Sequence, residues 1–342
     1  MKLKCKVYKW MKNNCRILWL LLSLFLLGFE GCVLSSSQKL EGDSKDYSAK
    51  ISNSLVPVSV NNKVKIMTTF LPIYWFTRAV AGDLAEIEVL VPPGIEIHHY
   101  QITPENIKKL ALANILVKNG LGLEKFLDGA VKSSENKGLH IIDASRGINP
   151  LNPIDPLETT GKHYDKSHHH TGGNPHVWLD PILVIQQVNN IRDGLITVDP
   201  KNKSSYQDNA SAYIKELLNL HSAFQQRLQN HAIDMSCKFI TFHDAFPYLA
   251  KRYSLEQVVI VELPEEQLSP HELKKVVNTV KKYQVKALFG EFGIDNKLLN
   301  NLAKDLNITL LYLDSLELGD KNPLYYFQGM HANLENLASA CK

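Results

Sequence analysis

From Val64 onward, two kinds of hydrophobic pattern alternate along the chain. Short runs rich in β-branched residues predict strands at Val64–Met67, Ile87–Val91, Ile115–Lys118 and Leu139–Ile142. Between them, apolar residues at helical spacing predict helices over Pro72–Ala81, Pro104–Ala113 and Leu123–Val131. A long helical region follows. Ile182–Val198 is one predicted helix, stopped by Asp199-Pro200. Lys203–Asn230 is a second, with apolar residues at Tyr206, Ala210, Tyr213, Leu217, Leu220, Phe224 and Leu228. At 1.5 Å per residue it would be about 40 Å long. The first rhythm then restarts. Strands are predicted at Phe239–Thr241, Gln257–Val261, Val285–Phe289 and Ile308–Leu313, and helices at Ala245–Arg252, Pro270–Lys282, Lys297–Asp305 and Pro323–Ala340. Strands that alternate with helices read as βαβ units in a parallel sheet. The expected fold is α/β, with two lobes, each a four-stranded parallel sheet flanked by helices, joined by one long linker helix. The boundaries expected are 62–200 for the N-terminal lobe, 201–233 for the linker helix and 234–342 for the C-terminal lobe.

Residues 1–61 do not share this rhythm. Six basic residues, ending at Arg16, precede an apolar run from Ile17 to Phe29. That run has the length of the apolar region of a secretory signal and is short for a bilayer span. Gly31-Cys32 and a serine-rich tail come next, a pattern that resembles a bacterial lipoprotein cleavage site with lipid on Cys32. Phe29 and Glu30 stand where that pattern has leucine and a small residue. Residues 1–31 are therefore expected to be a signal peptide and 32–61 a disordered tether. The formal charge of +3 is misleading: residues 1–31 carry +5, leaving −2 on the remainder. A near-neutral body offers no basic footprint for nucleic acid.

Cysteine usage fits export. Cys5 and Cys15 lie in the signal, and beyond Cys32 only Cys237 and Cys341 remain. No C-x-x-C occurs, which argues against a cysteine-based zinc site. The last two are either bridged or free thiols, because a bridge requires close Cα atoms that spacing does not reveal.

Ligands of open parallel sheets bind beyond the carboxyl ends of strands. After the second predicted strand comes Pro92–Tyr100, with His98 and His99. After the fourth and a long loop comes Asn174-Pro175-His176-Val177-Trp178-Leu179-Asp180-Pro181, in which prolines fix the backbone around His176. After the fifth comes Thr241-Phe242-His243-Asp244, and after the eighth Asp314-Ser315. Three imidazoles and a carboxylate suit a zinc-like divalent ion. Two donors from each lobe would hold it in the crevice between them. These four stretches, taken in order, resemble the solute-binding proteins of zinc and manganese ABC importers, over roughly residues 62–340. The resemblance implies that His98, His176, His243 and Asp314 are the metal ligands. The Asp-Pro common in that family before the first histidine is Glu96-Ile97 here, and His99 adjoins His98. His243 stands where manganese-preferring members usually have glutamate. The cargo expected is Zn2+, with Mn2+ or Fe2+ as alternatives.

Nearby residues receive plainer readings. His163 and His168–His170 form a short histidine-rich loop, either a low-affinity collecting site or a solvated loop. Trp178 is expected to pack beside His176. Glu291 is read as a surface carboxylate, though its place after the seventh strand also suits a partner for a ligand. His221 and His231 are expected to be solvated. The chain has no G-x-x-x-x-G-K-[ST], so any ATP hydrolysis belongs to a partner. The expectation is an exported, membrane-tethered monomer, periplasmic or on the cell surface. It would capture a metal, without catalysis, for a permease and its ATPase. The alternatives are an exported zinc-dependent hydrolase and a surface adhesin.

Overall fold

The computed structural model describes residues 63–154, 172–229, 237–241, 243–259, 270–292 and 297–341. The expected signal and tether, with Cys32, the histidines at 163, 168–170 and 231, and residues 230–233 of the expected linker helix lie outside them. The first sheet is built from β1 (Val64–Thr68), α1 (Leu71–Ala81), β2 (Ala85–Val89), α2 (Pro104–Leu112), β3 (Ile115–Lys118), α3 (Leu127–Ser133) and β4 (His140–Asp143). Two helices follow, α4 (Pro181–Val198) and α5 (Lys203–Gln229). The second sheet comprises β5 (Lys238–Thr241), α6 (Pro247–Arg252), β6 (Glu256–Val259), α7 (Pro270–Tyr283), β7 (Ala287–Glu291), α8 (Lys297–Leu306), β8 (Thr309–Leu313) and α9 (Tyr325–Ala340).

Both sheets have four parallel strands in the same winding, β2-β1-β3-β4 and β6-β5-β7-β8. In each the chain steps to one side of its first strand and then crosses to the other, the arrangement that opens a crevice at the strands' carboxyl ends. The sequence places β2 slightly late, yet the ladder does reach Val91, because Leu90 N donates to Thr68 O and Val91 N to Thr69 O. Helix starts follow local chemistry. Thr103 and Asn106 form a reciprocal capping box before α2, and the Asp180 carboxylate caps α4 ahead of Pro181. The first-lobe helix expected from Leu123 begins instead at Leu127. Glu124 is responsible: its carboxylate accepts from Asn119 N at 2.6 Å, Gly120 N at 3.0 Å and the Thr69 hydroxyl at 2.9 Å, holding residues 119–124 as a turn.

The helix α5 has 27 residues and is about 40 Å long. Tyr206, Ala210, Leu217, Leu220, Phe224 and Leu228 are buried along one stripe, as their spacing predicts, and Tyr213 is half-buried. This stripe packs against α1, α4 and α9. One continuous apolar core therefore runs from Ile66, Phe70 and Phe76 through Trp178 and Phe224 to Phe239, Phe289 and Tyr326. The two sheets share this core, so they cannot part widely without exposing it to water. Trp75 adds a further tie: its ring stacks on Tyr325 at 5.2 Å and its indole N–H donates to Asp320 O at 2.9 Å. His221, expected in solvent, is half-buried with Nδ1 3.1 Å from the Tyr253 hydroxyl. The helix lies close enough to α6 to cover it.

Cys237 and Cys341 are bridged, with Cα atoms 5.4 Å apart. The bond joins the start of β5 to the end of α9, closing a loop across a sequence separation of 104. Constraining so long a loop in the unfolded chain is expected to stabilise by about 2–5 kcal/mol. Replacing both cysteines with serine should lower the guanidinium unfolding free energy by that amount under non-reducing conditions. An unchanged value would show that the bridge contributes no stability.

Candidate metal centre

Four loops leave the carboxyl ends of β2, β4, β5 and β8 and converge. In the first, Glu96 turns the backbone: Oε1 accepts from His98 N at 2.7 Å and Oε2 from His99 N at 3.0 Å. This separates the two neighbouring imidazoles. The His98 side chain is 3% exposed, whereas that of His99 is 52% exposed and turned toward Glu96. In the second loop, Pro175 and a short helical turn at Val177–Leu179 hold His176, which is 3% exposed. Trp178 is wholly buried beside it, its ring 5.1 Å from His176 and 4.9 Å from Phe70, as packing beside His176 requires. His243 follows β5 and is 1% exposed.

The imidazole Nε2 atoms face one another. His176 Nε2 lies 3.3 Å from His98 Nε2 and 3.2 Å from His243 Nε2. The fourth member is Glu317, whose Oε1 is 3.4 Å from His176 Nε2 and whose Oε2 is 3.7 Å from His98 Nε2. One donor atom from each of the four residues falls within 4.8 Å of every other. A tetrahedral zinc with bonds of about 2.0–2.1 Å requires its donors to sit about 3.3 Å apart. The nitrogen separations match that edge length, so this donor set fits a small divalent ion.

The structure thus brings together three of the four residues expected from sequence and replaces the fourth. Asp314 lies outside the cluster. Its Oδ1 accepts from Leu316 N at 2.8 Å and its Oδ2 from the Tyr325 hydroxyl at 3.1 Å. Burial pushes its carboxyl up to about 6. It fixes the turn after β8, where Leu316 adopts a φ of 66° and redirects the chain so that Glu317 reaches the histidines. A short aspartate directly after a strand tends to bond its own backbone two residues on. That tendency, with a longer acid three residues later, was the available signal. Glu291 is also corrected: it is 7% exposed, and its Oε2 lies 2.7 Å from His243 Nδ1.

These contacts set the charges of the four side chains. Burial lowers the pKa of His176 to about 3, reinforced by neighbouring His243 and His98 against the pull of Glu317. Burial also lowers that of His98, but Glu317 and Glu96 outweigh it and the net shift is upward. Burial of Glu317 is likewise outweighed by His98 and His176, which hold its carboxyl well below the usual range. For His243, Glu291 overcomes the burial cost, helped by Glu317 and Asp244, and raises the pKa to about 9. A raised histidine pKa contributes stability that is complete below the ordinary value of 6.5 and lost as pH rises through about 9. Metal-free Glu291→Gln should therefore be less stable than the parent below that window, with the gap closing across it. A thermal-melting series against pH would show this, and a pH-independent gap would contradict the pairing.

With this geometry in hand, comparisons with known proteins become specific. Residues 66–340 match the family model described as ZnuA, zinc-uptake complex component A, periplasmic. The chain is 31% identical over 284 residues to the high-affinity zinc uptake system protein ZnuA of Bacillus subtilis, covering 82% of this chain and 88% of that one. It is 33% identical over 258 residues to the zinc-binding lipoprotein AdcA of Streptococcus pneumoniae, covering 75% of this chain but only 51% of that relative's length. Among solved structures, the laminin-binding protein Lmb of Streptococcus agalactiae, described as bifunctional with adhesin and metal-transporting activity, superposes with a TM-score of 0.68. It is 29% identical, with 82% of this chain and 100% of that one covered. By the extent of the family match, the chain belongs to the ZnuA family of zinc-uptake components.

Proposed function

We propose that this chain is the extracytoplasmic binding component of an ABC importer for a divalent transition metal. It would hold the ion between the lobes through His98, His176, His243 and Glu317 and pass it to a membrane permease driven by a separate ATPase. The observation that carries this reading is the buried convergence of three imidazole nitrogens and one carboxylate within 4.8 Å of one another. Zinc is the preferred cargo, because a nitrogen-rich, four-coordinate set suits it better than manganese or iron. Charge agrees: the carboxylates of Glu317 and Glu291 balance a doubly charged ion without a further anion. Binding requires neutral imidazoles, so uptake would displace protons from the site and weaken in acid. Four protein donors complete a tetrahedron and leave no open position for the water that a zinc hydrolase needs. Export by the segment at residues 1–31, with tethering through lipid on Cys32, would place the protein beside its permease.

Release would need only a small displacement, since bonds of about 2 Å fail when a donor withdraws by a fraction of that length. The shared core and the Trp75–Tyr325 stack favour such a limited movement over wide opening. His98→Ala, His176→Ala, His243→Ala and Glu317→Ala should each weaken zinc binding by about 100-fold or more, one donor of four carrying about 3 kcal/mol. Asp314→Asn should leave the affinity nearly unchanged. Chelator competition with zinc measures all five variants. A strong loss in Asp314→Asn with none in Glu317→Ala would restore the sequence-based assignment.

A further inference from the structure

Asn174 contacts both sides of the cleft and is 2% exposed. Its Nδ2 donates to the backbone oxygen of Asp244 at 2.8 Å and to Asp244 Oδ2 at 3.0 Å. Its Oδ1 accepts from His176 N at 3.0 Å and lies 3.0 Å from His176 Nδ1. The orientation of this amide is not arbitrary. A peptide oxygen can only accept, so the Asn174 atom facing Asp244 O must be the NH2 group. A peptide N–H can only donate, so the atom facing His176 N must be the amide oxygen. That oxygen also faces His176 Nδ1, which must therefore carry a hydrogen. The lone pair of His176 is left on Nε2, the atom that faces His98 and His243.

We propose that Asn174 is a positioning residue that selects the metal-binding tautomer of His176 and ties it to the His243 loop. This rests on the metal-capture reading above and adds to it a residue that does not touch the ion. The surrounding bonds leave the amide little freedom. Asn174 N donates to Leu151 O at 2.8 Å, and Asn174 O accepts from the Tyr248 hydroxyl at 2.6 Å. The next peptide is held as well, because Asn119 Nδ2 donates to Pro175 O at 3.1 Å. On the far side of His176, the Trp178 indole donates to Ser315 O at 2.7 Å, two residues before Glu317. His176 thus sits on a segment fastened at both ends to second-lobe loops that carry His243 and Glu317. Asp244 directly follows His243, so the Asn174 amide sets the spacing between two donors as well as the ring orientation of one.

The partner chosen also matters. His243 is backed by a carboxylate, Glu291, whereas His176 is backed by a neutral amide. An amide oxygen orients an imidazole and fixes its hydrogen without adding charge. Partners of this kind are worth about 10–100-fold in metal affinity.

The test begins with the metal-free full chain, isotope-labelled on histidine nitrogens, at neutral pH. Long-range proton–nitrogen spectra, with His176 identified by the loss of its signals in His176→Ala, should show hydrogen on Nδ1 and a bare Nε2. The opposite tautomer overturns the proposal. Asn174→Ala should lose this bias and bind zinc about 10–100-fold more weakly. Asn174→Asp keeps the oxygen acceptor that faces His176 and should retain the tautomer, while its second oxygen, having no hydrogen to donate, loses the tie to Asp244. If Asn174→Ala keeps the tautomer, or binds zinc within about twofold of the parent, Asn174 does not position His176 in this way. Should the alanine variant fail to fold, the parent spectrum and the aspartate variant still decide. Failure of the parent chain to bind zinc would instead refute metal capture, while the tautomer remains readable in the metal-free protein.

Discussion

Three imidazoles and a carboxylate buried together form the constraint on which the rest of this structure depends. Lone pairs that face one another at 3.2–3.3 Å in a water-poor pocket are unfavourable unless protons or a cation lie between them. The protein meets this with opposed partners. Glu317 draws protons toward His98, and Glu291 holds one on His243, while His176 stays neutral behind an amide. Carboxylates therefore stand against the imidazoles, Glu317 beside His98 and His176 and Glu291 behind His243. Such an arrangement survives only if the loops that carry it cannot relax away.

The fold supplies that rigidity from several directions. Each sheet delivers its loops at the carboxyl edge, and loops from both sheets meet at one cluster of donors. The largest apolar cluster is common to both lobes, with α5 and Trp178 inside it. The loops are then pinned individually by Glu96, Asn174, the Trp178 indole and Asp314. Asp314 and Glu124 illustrate the same economy. Each is a carboxylate that spends its oxygens on local backbone N–H groups and a hydroxyl, and so shapes a turn rather than contacting a ligand.

Much of this was determined by the sequence alone. The alternation of β-branched runs with helical stripes specified eight strands, two sheets and the long helix, because those periods are local properties of the backbone. The rule that parallel sheets bind at their carboxyl ends then pointed to the loops that carry His98, His176 and His243, and the family resemblance to those residues within them. Tertiary structure decided the rest. Whether Asp314 or Glu317 reaches the cluster depends on one turn at Leu316. Whether Glu291 faces solvent or His243 depends on how β7 lies beside β5. Whether Cys237 meets Cys341 depends on where α9 ends relative to a strand far away in the chain. Periodicity tells which face of an element is buried, but not which side chains from distant elements meet there, and that is set only when the two sheets close on their common core.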